Sequence, residues 1–359
     1  MTFQDRSKPV RKGEELDTDK LRPYLELELA ESIPALTVTQ FPGGYSNLTY
    51  LLRWDRSDGS ERSVVLRRPP FGSKVKRAHD MGREHHILSK LSPHLPWVPK
   101  PLAFCQDAAV MGAEFYVMDR LAGVILRREV PAGATLDEAT ARRMSETLLD
   151  TLCQLHSLDY EAVGLSDLGK PEGYVERQIT GWTRRYGDAQ TDEVEQMPAV
   201  SDWLAAHIPT SGPATIIHND HKFDNVIWDS EQFERIIGVL DWEMATLGDP
   251  LMDLGSTLCY WIEAQDHAGL QNMSFGPTHL PGMLTRRELC DRYAERTGRD
   301  VSNIVFYYVY GLYKTAVVVQ QIYYRFKQGL TQDPRFAGLI FAVRLLAERA
   351  AETVDRQEL

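Results

Sequence analysis

Apolar residues fall at Leu21, Tyr24, Leu25 and Leu29, the spacing of one helix face. A helix is therefore predicted over Asp17–Leu29, with Asp17 or Thr18 as its N-cap. From Leu36 the pattern turns to that of strands. Leu36–Phe41, Leu48–Trp54 and Ser63–Arg67 are β-rich runs, separated by Pro42-Gly43-Gly44-Tyr45-Ser46-Asn47 and by a turn containing Asp58-Gly59. Helical spacing returns over Lys76–Leu91, where Met81, His85, Leu88 and Leu91 share a side. Val98-Pro99-Lys100-Pro101 interrupts the pattern. Two more strands, Pro101–Phe104 and Glu114–Arg120, follow around a turn at Gln106-Asp107.

The rest of the chain is mostly helical in pattern. Thr135–Ser157 carries Leu136, Met144, Leu148, Leu149, Leu152 and Leu155 on one side, and His156 near its end suits a core or cap position. Residues 170–207 read as helical, anchored by Trp182, Tyr186 and Trp203. Residues 264–284 are rich in Gly, His, Met and Pro and read as a loop. Leu284–Gly298 is a predicted helix with a capping box, Thr285 followed by Glu288. Asn303–Gln328 is strongly aromatic, which suits either a buried helix or an acyl-binding wall. A final helix is expected over Asp333–Thr353.

Composition narrows the possibilities. A chain of 359 residues is long for one core and suggests two lobes sharing a cleft. The net charge of −11 argues against nucleic acid as a partner, since phosphate contacts need an excess of Lys and Arg. Cys105, Cys153, Cys259 and Cys290 lie far apart without metal or redox spacing and read as buried thiols in a reducing compartment. The first twenty residues lack the apolar core of a secretory signal, and no run of eighteen apolar residues occurs, so a cytoplasmic protein with no membrane partner is expected. No feature of the sequence specifies the oligomeric state.

Chemistry concentrates between Ala214 and Leu258. Three short β-rich runs, Thr215–Ile217, Val226–Trp228 and Ile236–Leu240, alternate with His218-Asn219-Asp220, Asn225, a turn pair Asp229-Ser230, and Asp241. Asp220, Asn225 and Asp241 are oxygen donors of the kind a hard cation takes, and Mg²⁺ in particular is bound by one or two carboxylates plus substrate phosphates. Gly248-Asp249-Pro250 then leads into Asp253. Taken singly, each acid could be a loop or cap residue. Upstream, the Gly43-Gly44 pair suits either a hairpin turn or a close approach of backbone N–H groups to phosphate. Arg67-Arg68 is either a phosphate-binding cation or a solvated basic pair, and Glu84 either its partner or a surface carboxylate.

The ordered set His218-Asn219-Asp220, Asn225, Asp241 and Gly248–Leu254 resembles the catalytic segment of the aminoglycoside phosphotransferase and choline kinase branch of the protein-kinase-like superfamily. HNDHKFDN followed by LDWEMATLGDPLMDL resembles most the phosphotransferase-like domains related to those fused to acyl-CoA dehydrogenases. The resemblance implies an α+β, two-lobed fold: a small antiparallel-sheet lobe over residues 1–120 and a larger, mainly helical lobe over 121–359. It implies ATP or another NTP with Mg²⁺, and transfer of the γ-phosphoryl group to a small-molecule hydroxyl. By the same correspondence Asp220 is the catalytic Asp and Lys222 is directed at the transferred phosphate. Asn225 and Asp241 are metal ligands. Gly43, Gly44, Ser46 and Asn47 supply phosphate contacts, Arg67 replaces the usual strand lysine, Glu84 orients it, and the backbone from Asp119 to Leu121 reads the base. The implied acceptor is an aminoglycoside-like molecule or a hydroxyacyl metabolite. A nucleotide-binding module without catalysis is the alternative, against which the intact Asp220, Asn225 and Asp241 weigh.

Overall fold

The structure, a computed structural model, describes residues 7–42, 47–71, 80–127, 130, 136–229, 232–331 and 333–359. Gly43, Gly44, Ser46, Lys76, Thr135 and Ser230, all singled out from the sequence, lie outside the described residues. The chain divides into two units. The first is drawn from Met1–Ile125, Ile227–Glu231 and Ile236–Glu243, the second from Leu126–Val226, Gln232–Arg235 and Met244–Leu359.

The first unit begins with helix α1 (Thr18–Leu29), whose N-terminus is closed by the Asp17 side chain accepting from Lys20 N at 3.2 Å. Strands β1 (Thr37–Gln40), β2 (Leu48–Asp55) and β3 (Glu61–Arg68) follow, then α2 (Met81–Leu91), β4 (Pro101–Cys105), a one-turn helix α3 (Ala108–Met111) and β5 (Phe115–Asp119). The strands form an antiparallel sheet in the order β1-β2-β3-β5-β4. Period-two alternation assigns its faces. Tyr50, Leu52, Trp54, Val64 and Leu66 join Leu21 and Leu25 of α1 in one apolar cluster. Arg67, one residue on from Leu66, points to the opposite face, where α2 packs on β4 and β5. The turn expected at Gln106-Asp107 continues into α3, because the Asp107 side chain caps Ala109 N at 2.8 Å.

Helices α4 (Glu138–His156), α5 (Tyr174–Ala189) and α6 (Gln196–Ala206) belong to the second unit. The stretch 170–207, read as helical, comprises two helices, separated where Gln190 takes an extended conformation. Strand β6 (Thr215–Ile217) precedes β7 (Val226–Trp228) and β8 (Ile236–Val239), which pair with each other, and β9 (Thr246–Gly248) pairs antiparallel with β6. Trp228 of β7 exchanges 2.8 Å backbone bonds with Val124 within the first unit. A Cβ on Gly123 would come within 2.1 Å of the Trp228 carbonyl, so only glycine permits this approach.

The remaining helices are α7 (Pro250–Tyr260), α8 (Ala268–Gln271), α9 (Arg286–Thr297), α10 (Ile304–Lys327) and α11 (Leu339–Arg356). Helix α8 lies inside the stretch expected to be loop, and a 3-10 turn at Pro334–Gly338 precedes α11. The Thr285–Glu288 capping box is present at the start of α9. Helix α10 packs against α5, α6, α7 and α11. Phe306, Tyr307, Tyr308, Tyr310 and Tyr313 are buried, so this part of the aromatic stripe is core. No described helix is long and apolar enough to cross a membrane. The architecture is α+β, an antiparallel sheet unit and a mainly helical one.

Helices α7 and α10 touch backbone to backbone. A Cβ on Gly255 would stand 2.1 Å from the Tyr307 carbonyl oxygen, and one on Gly311 would stand 2.4 Å from that of Gly255. Gly255→Ala must push the helices apart, and it is expected to destabilise the protein by roughly 1–3 kcal/mol, as overpacking does elsewhere. Urea denaturation measures the difference; an unchanged midpoint would refute the close crossing.

Candidate active site

Within the first unit, three charged side chains meet on the α2 side of the sheet. Arg67 Nη1 lies 2.8 Å from Glu84 Oε1, and Nη2 lies 3.4 Å from Asp241 Oδ1. Arg67 and Glu84 are buried, whereas the Asp241 side chain is 35% exposed. Burial works against the Arg67 charge, but Glu84 foremost, with Tyr116 and Asp241, holds the guanidinium well above its ordinary value. Burial raises the Glu84 carboxyl; Arg67 opposes this and the negative charge of Asp241 adds to it. The cation is therefore held firmly.

Asp241 follows β8 with φ +66°, a left-handed conformation uncommon outside glycine. Its neighbour Trp242 anchors that turn by donating from Nε1 to Val239 O at 2.9 Å and stacking on Trp97. Asn47 is buried and donates from Nδ2 to Glu243 Oε2 at 3.2 Å. Asp119 pairs with Arg62 at 2.9 Å, and its N–H donates to Lys100 O, so that N–H is already engaged. Leu121 lies two residues beyond β5, with its side chain 2.7 Å from where a Cβ on Gly238 would stand.

The second unit holds the other cluster. Strand β6 delivers His218, and the next two backbone N–H groups converge on one buried carboxylate. His218 N donates to Asp253 Oδ2 at 2.6 Å and Asn219 N to Oδ1 at 2.7 Å. His156 Nε2 stands 3.2 Å from Oδ2; because a carboxylate only accepts, Nε2 carries the proton. His156 Nδ1 lies 2.8 Å from the Tyr293 hydroxyl. Burial alone would raise the Asp253 carboxyl, but His156 and His218 outweigh it and bring the pKa down to about 2. Asp253 is supplied by α7, whose N-terminus is capped by Asp249, itself accepting from Tyr307 O–H at 2.9 Å.

Asn219 has φ +66°, and its side chain donates to Met244 O at 3.0 Å. Its carbonyl accepts from Lys314 Nζ of α10 at 2.6 Å. Asp220 comes next. Lys222 Nζ donates to its two oxygens at 2.7 and 2.6 Å, and Asn225 Nδ2 donates to Asp220 O at 2.9 Å and Oδ2 at 2.7 Å. Burial pushes the Asp220 carboxyl up, yet the Lys222 ammonium more than offsets this and leaves it below the ordinary carboxylate range. Lys222 also sits over the rings of Tyr260 and Phe275, 4.7 and 5.1 Å from their centroids. His221 is buried against Thr151 Oγ1 at 3.0 Å; burial and His218 bring its pKa down to about 3, so it is neutral at physiological pH.

Asp220, Lys222 and Asn225 are thus brought together in one unit, and Arg67, Glu84 and Asp241 in the other. Asn225 uses its amide nitrogen on Asp220, which leaves its amide oxygen as the end suited to a hard cation. Asp241 uses Oδ1 on Arg67. Among the described residues no group of three His, Cys, Asp or Glu could hold a metal. Carboxylate and amide oxygens of this kind are ones that Mg²⁺ takes together with water and substrate oxygens. Two participants were not assigned roles from the sequence. Asp253 was visible only as the acid that follows Gly248-Asp249-Pro250. Lys314 was hidden in the aromatic stripe, although a lone lysine in an otherwise apolar helical run is itself a signal.

Residues 37–289 match the model of the phosphotransferase enzyme family. The mouse protein acyl-CoA dehydrogenase family member 11 is 35% identical over 87% of this chain, and the match spans 40% of that protein. This chain thus spans less than half the length of that relative. A solved Ralstonia eutropha protein described as a candidate aminoglycoside phosphotransferase is similar over 95% of this chain and 99% of its own, with TM-score 0.79 and 27% identity. An aminoglycoside phosphotransferase solved with streptomycin and ATP shares the fold, with TM-score 0.53 and 17% identity over 85% of this chain and 90% of its own. The chain belongs to the phosphotransferase enzyme family, and its fold is kinase-like.

Two outcomes are expected. Arg67→Met strands Glu84 without its cation and should cost about 3–5 kcal/mol in denaturant unfolding, largely recovered by adding Glu84→Gln. Asp253 has a folded pKa of about 2 against an ordinary 3.8, so its ionised form adds about 2 kcal/mol of stability at neutral pH. That contribution is complete above the unfolded value and disappears as pH falls through the folded one. The stability gap between wild type and Asp253→Asn should therefore narrow on acidification towards about pH 2. A gap independent of pH would refute the linkage.

Proposed function

We propose that this protein is an ATP-dependent phosphotransferase that moves the γ-phosphoryl group to a hydroxyl of a small molecule. The observation that carries the reading is the Asp220–Asn225 pair, gripped by Lys222, in a member of a phosphotransferase family. Asp220 orients the acceptor hydroxyl and takes its proton; it is suited to this because it remains ionised through neutral pH. Lys222, whose ammonium rests on Asp220, is within its own side chain's reach of a phosphoryl group presented there and offsets negative charge during transfer. Asn225 and Asp241 are the proposed oxygen ligands of Mg²⁺, which when bound neutralises charge on the phosphate oxygens. Arg67, kept cationic by Glu84, is the proposed partner of the nucleotide phosphates, and its planar fork suits them. Asn47 and the backbone near Asp119 and Leu121 remain the proposed contacts to phosphate and base.

The acceptor is proposed to be a hydroxyacyl metabolite or an aminoglycoside-like molecule. The likeness to acyl-CoA dehydrogenase family member 11 favours the former, and that to the Ralstonia protein the latter.

ADP release from Mg·ATP, measured against a panel of aminoglycosides, choline, sugars and hydroxyacyl-CoAs, tests the reading. Acceptor-dependent release is expected to fall by roughly 10²–10⁴-fold in Asp220→Ala. Asp241→Ala should abolish metal-dependent turnover with the fold intact by circular dichroism. ATP binding without any turnover would favour a non-catalytic module, and absence of nucleotide binding would overturn the proposal.

A further inference from the structure

Lys314 is a buried cation that the proposed chemistry does not use. It lies in the middle of α10, 3% exposed, flanked by Tyr313 and beyond the residues matched by the family model. A buried ammonium is costly unless it has partners. Its bonds are specific: Nζ donates to Asn219 O at 2.6 Å and reaches Ser256 Oγ of α7 at 3.4 Å. Ser256 O–H is itself committed to Met252 O at 2.9 Å, so its oxygen faces Lys314 as an acceptor. The charged and titratable groups acting on Lys314 are Asp220 and Lys222 of the loop after β6, and Asp253 and Cys259 of α7. Burial pulls the ammonium below its ordinary value, and Asp220 and Asp253 oppose that pull.

The position of the contact matters more than its charge. Asn219 O and Asp220 N belong to one peptide plane, which rotates as a rigid unit. Lys314 holds the oxygen edge of that plane, and His218 Nδ1 accepts from the Asp220 N–H on the other edge at 3.2 Å. The residue before the plane, Asn219, is in a left-handed conformation, which asparagine tolerates better than most residues. Freed of Lys314, the Asn219 carbonyl would be a buried acceptor without its ammonium, and the plane that aims Asp220 would be clamped on one edge only.

We infer that Lys314 is a positioning residue for Asp220, fixing the Asn219–Asp220 peptide plane from α10. The inference rests on the reading of Asp220 as the group that orients the acceptor.

The test compares Lys314→Met, Lys314→Arg and Asp220→Ala singly, and Lys314→Met combined with Asp220→Ala. ADP release from Mg·ATP is followed with the panel acceptor or, failing one, with water, and folding is checked by thermal melting. In Lys314→Met, kcat is expected to fall about tenfold or more, as misplacing a reacting group does. KM for ATP should change by less than about twofold, since an interaction that acts on the reacting step shows in kcat. Lys314→Arg should recover part of the loss. Added to Asp220→Ala, Lys314→Met should cost nothing further, because residues acting through one another are not additive.

Wild-type kcat in a folded Lys314→Met protein overturns the inference, as does a full additional loss in the double variant. If the Met variant does not fold, Lys314→Ala, which likewise removes the donor, is read by the same criteria. Full activity in Asp220→Ala would instead sink the reading of Asp220 itself, an outcome separate from activity retained only in the Lys314 variants.

Discussion

The second unit depends on the Asp253 carboxylate, which is fully buried and ionised. Such a group is tolerated only because donors surround it. Two of them are consecutive backbone N–H groups at the end of β6, and the third is His156 from α4. One side chain therefore ties α7, α4 and the loop that carries Asp220. The backbone at Asn219 is forced into a left-handed turn, and the result is that Asp220 emerges beside Lys222 and Asn225.

The first unit solves a similar problem with an ion pair. Arg67 and Glu84 are both withdrawn from water, an arrangement that adds little net stability but is severely destabilised when either partner is lost. What the pair provides is a defined place for a cation. The sheet fixes Arg67 by register, since Leu66 on one face obliges its neighbour to the other, and α2 brings Glu84 to meet it. Asp241 then contacts that cation from a strained turn braced by Trp242.

Much of this was legible in the chain itself. β-rich runs bounded by turn residues located the five strands of the first sheet, helical spacing located α1 and α4, and a capping box and an aromatic stripe located α9 and α10, each to within a few residues. Local chemistry was equally readable: Asp17 and Thr285 as caps, and the five-residue interval from Asp220 to Asn225. Where the reading slipped, the cause was also local. Asp107 capped a short helix where a plain turn was expected, and the pattern over 170–207 did not reveal the break after Ala189.

The sequence by itself determined most of the elements, the family and the ordered set of acids and amides, because these follow from relations between residues a few positions apart. The Arg67–Glu84 pair was anticipated; only the tertiary structure decided that Asp241 joins it, what surrounds Asp253 and which carbonyl a buried lysine meets. Arg67 and Asp241 are 174 positions apart, Asp253 and Asn219 are 34 apart, and Lys314 reaches Asn219 across 95. The physical reason is burial. A charge removed from water must find its partner wherever packing brings one, and the packing of α7 on α10 through Gly255 and Gly311 is not written in any local spacing.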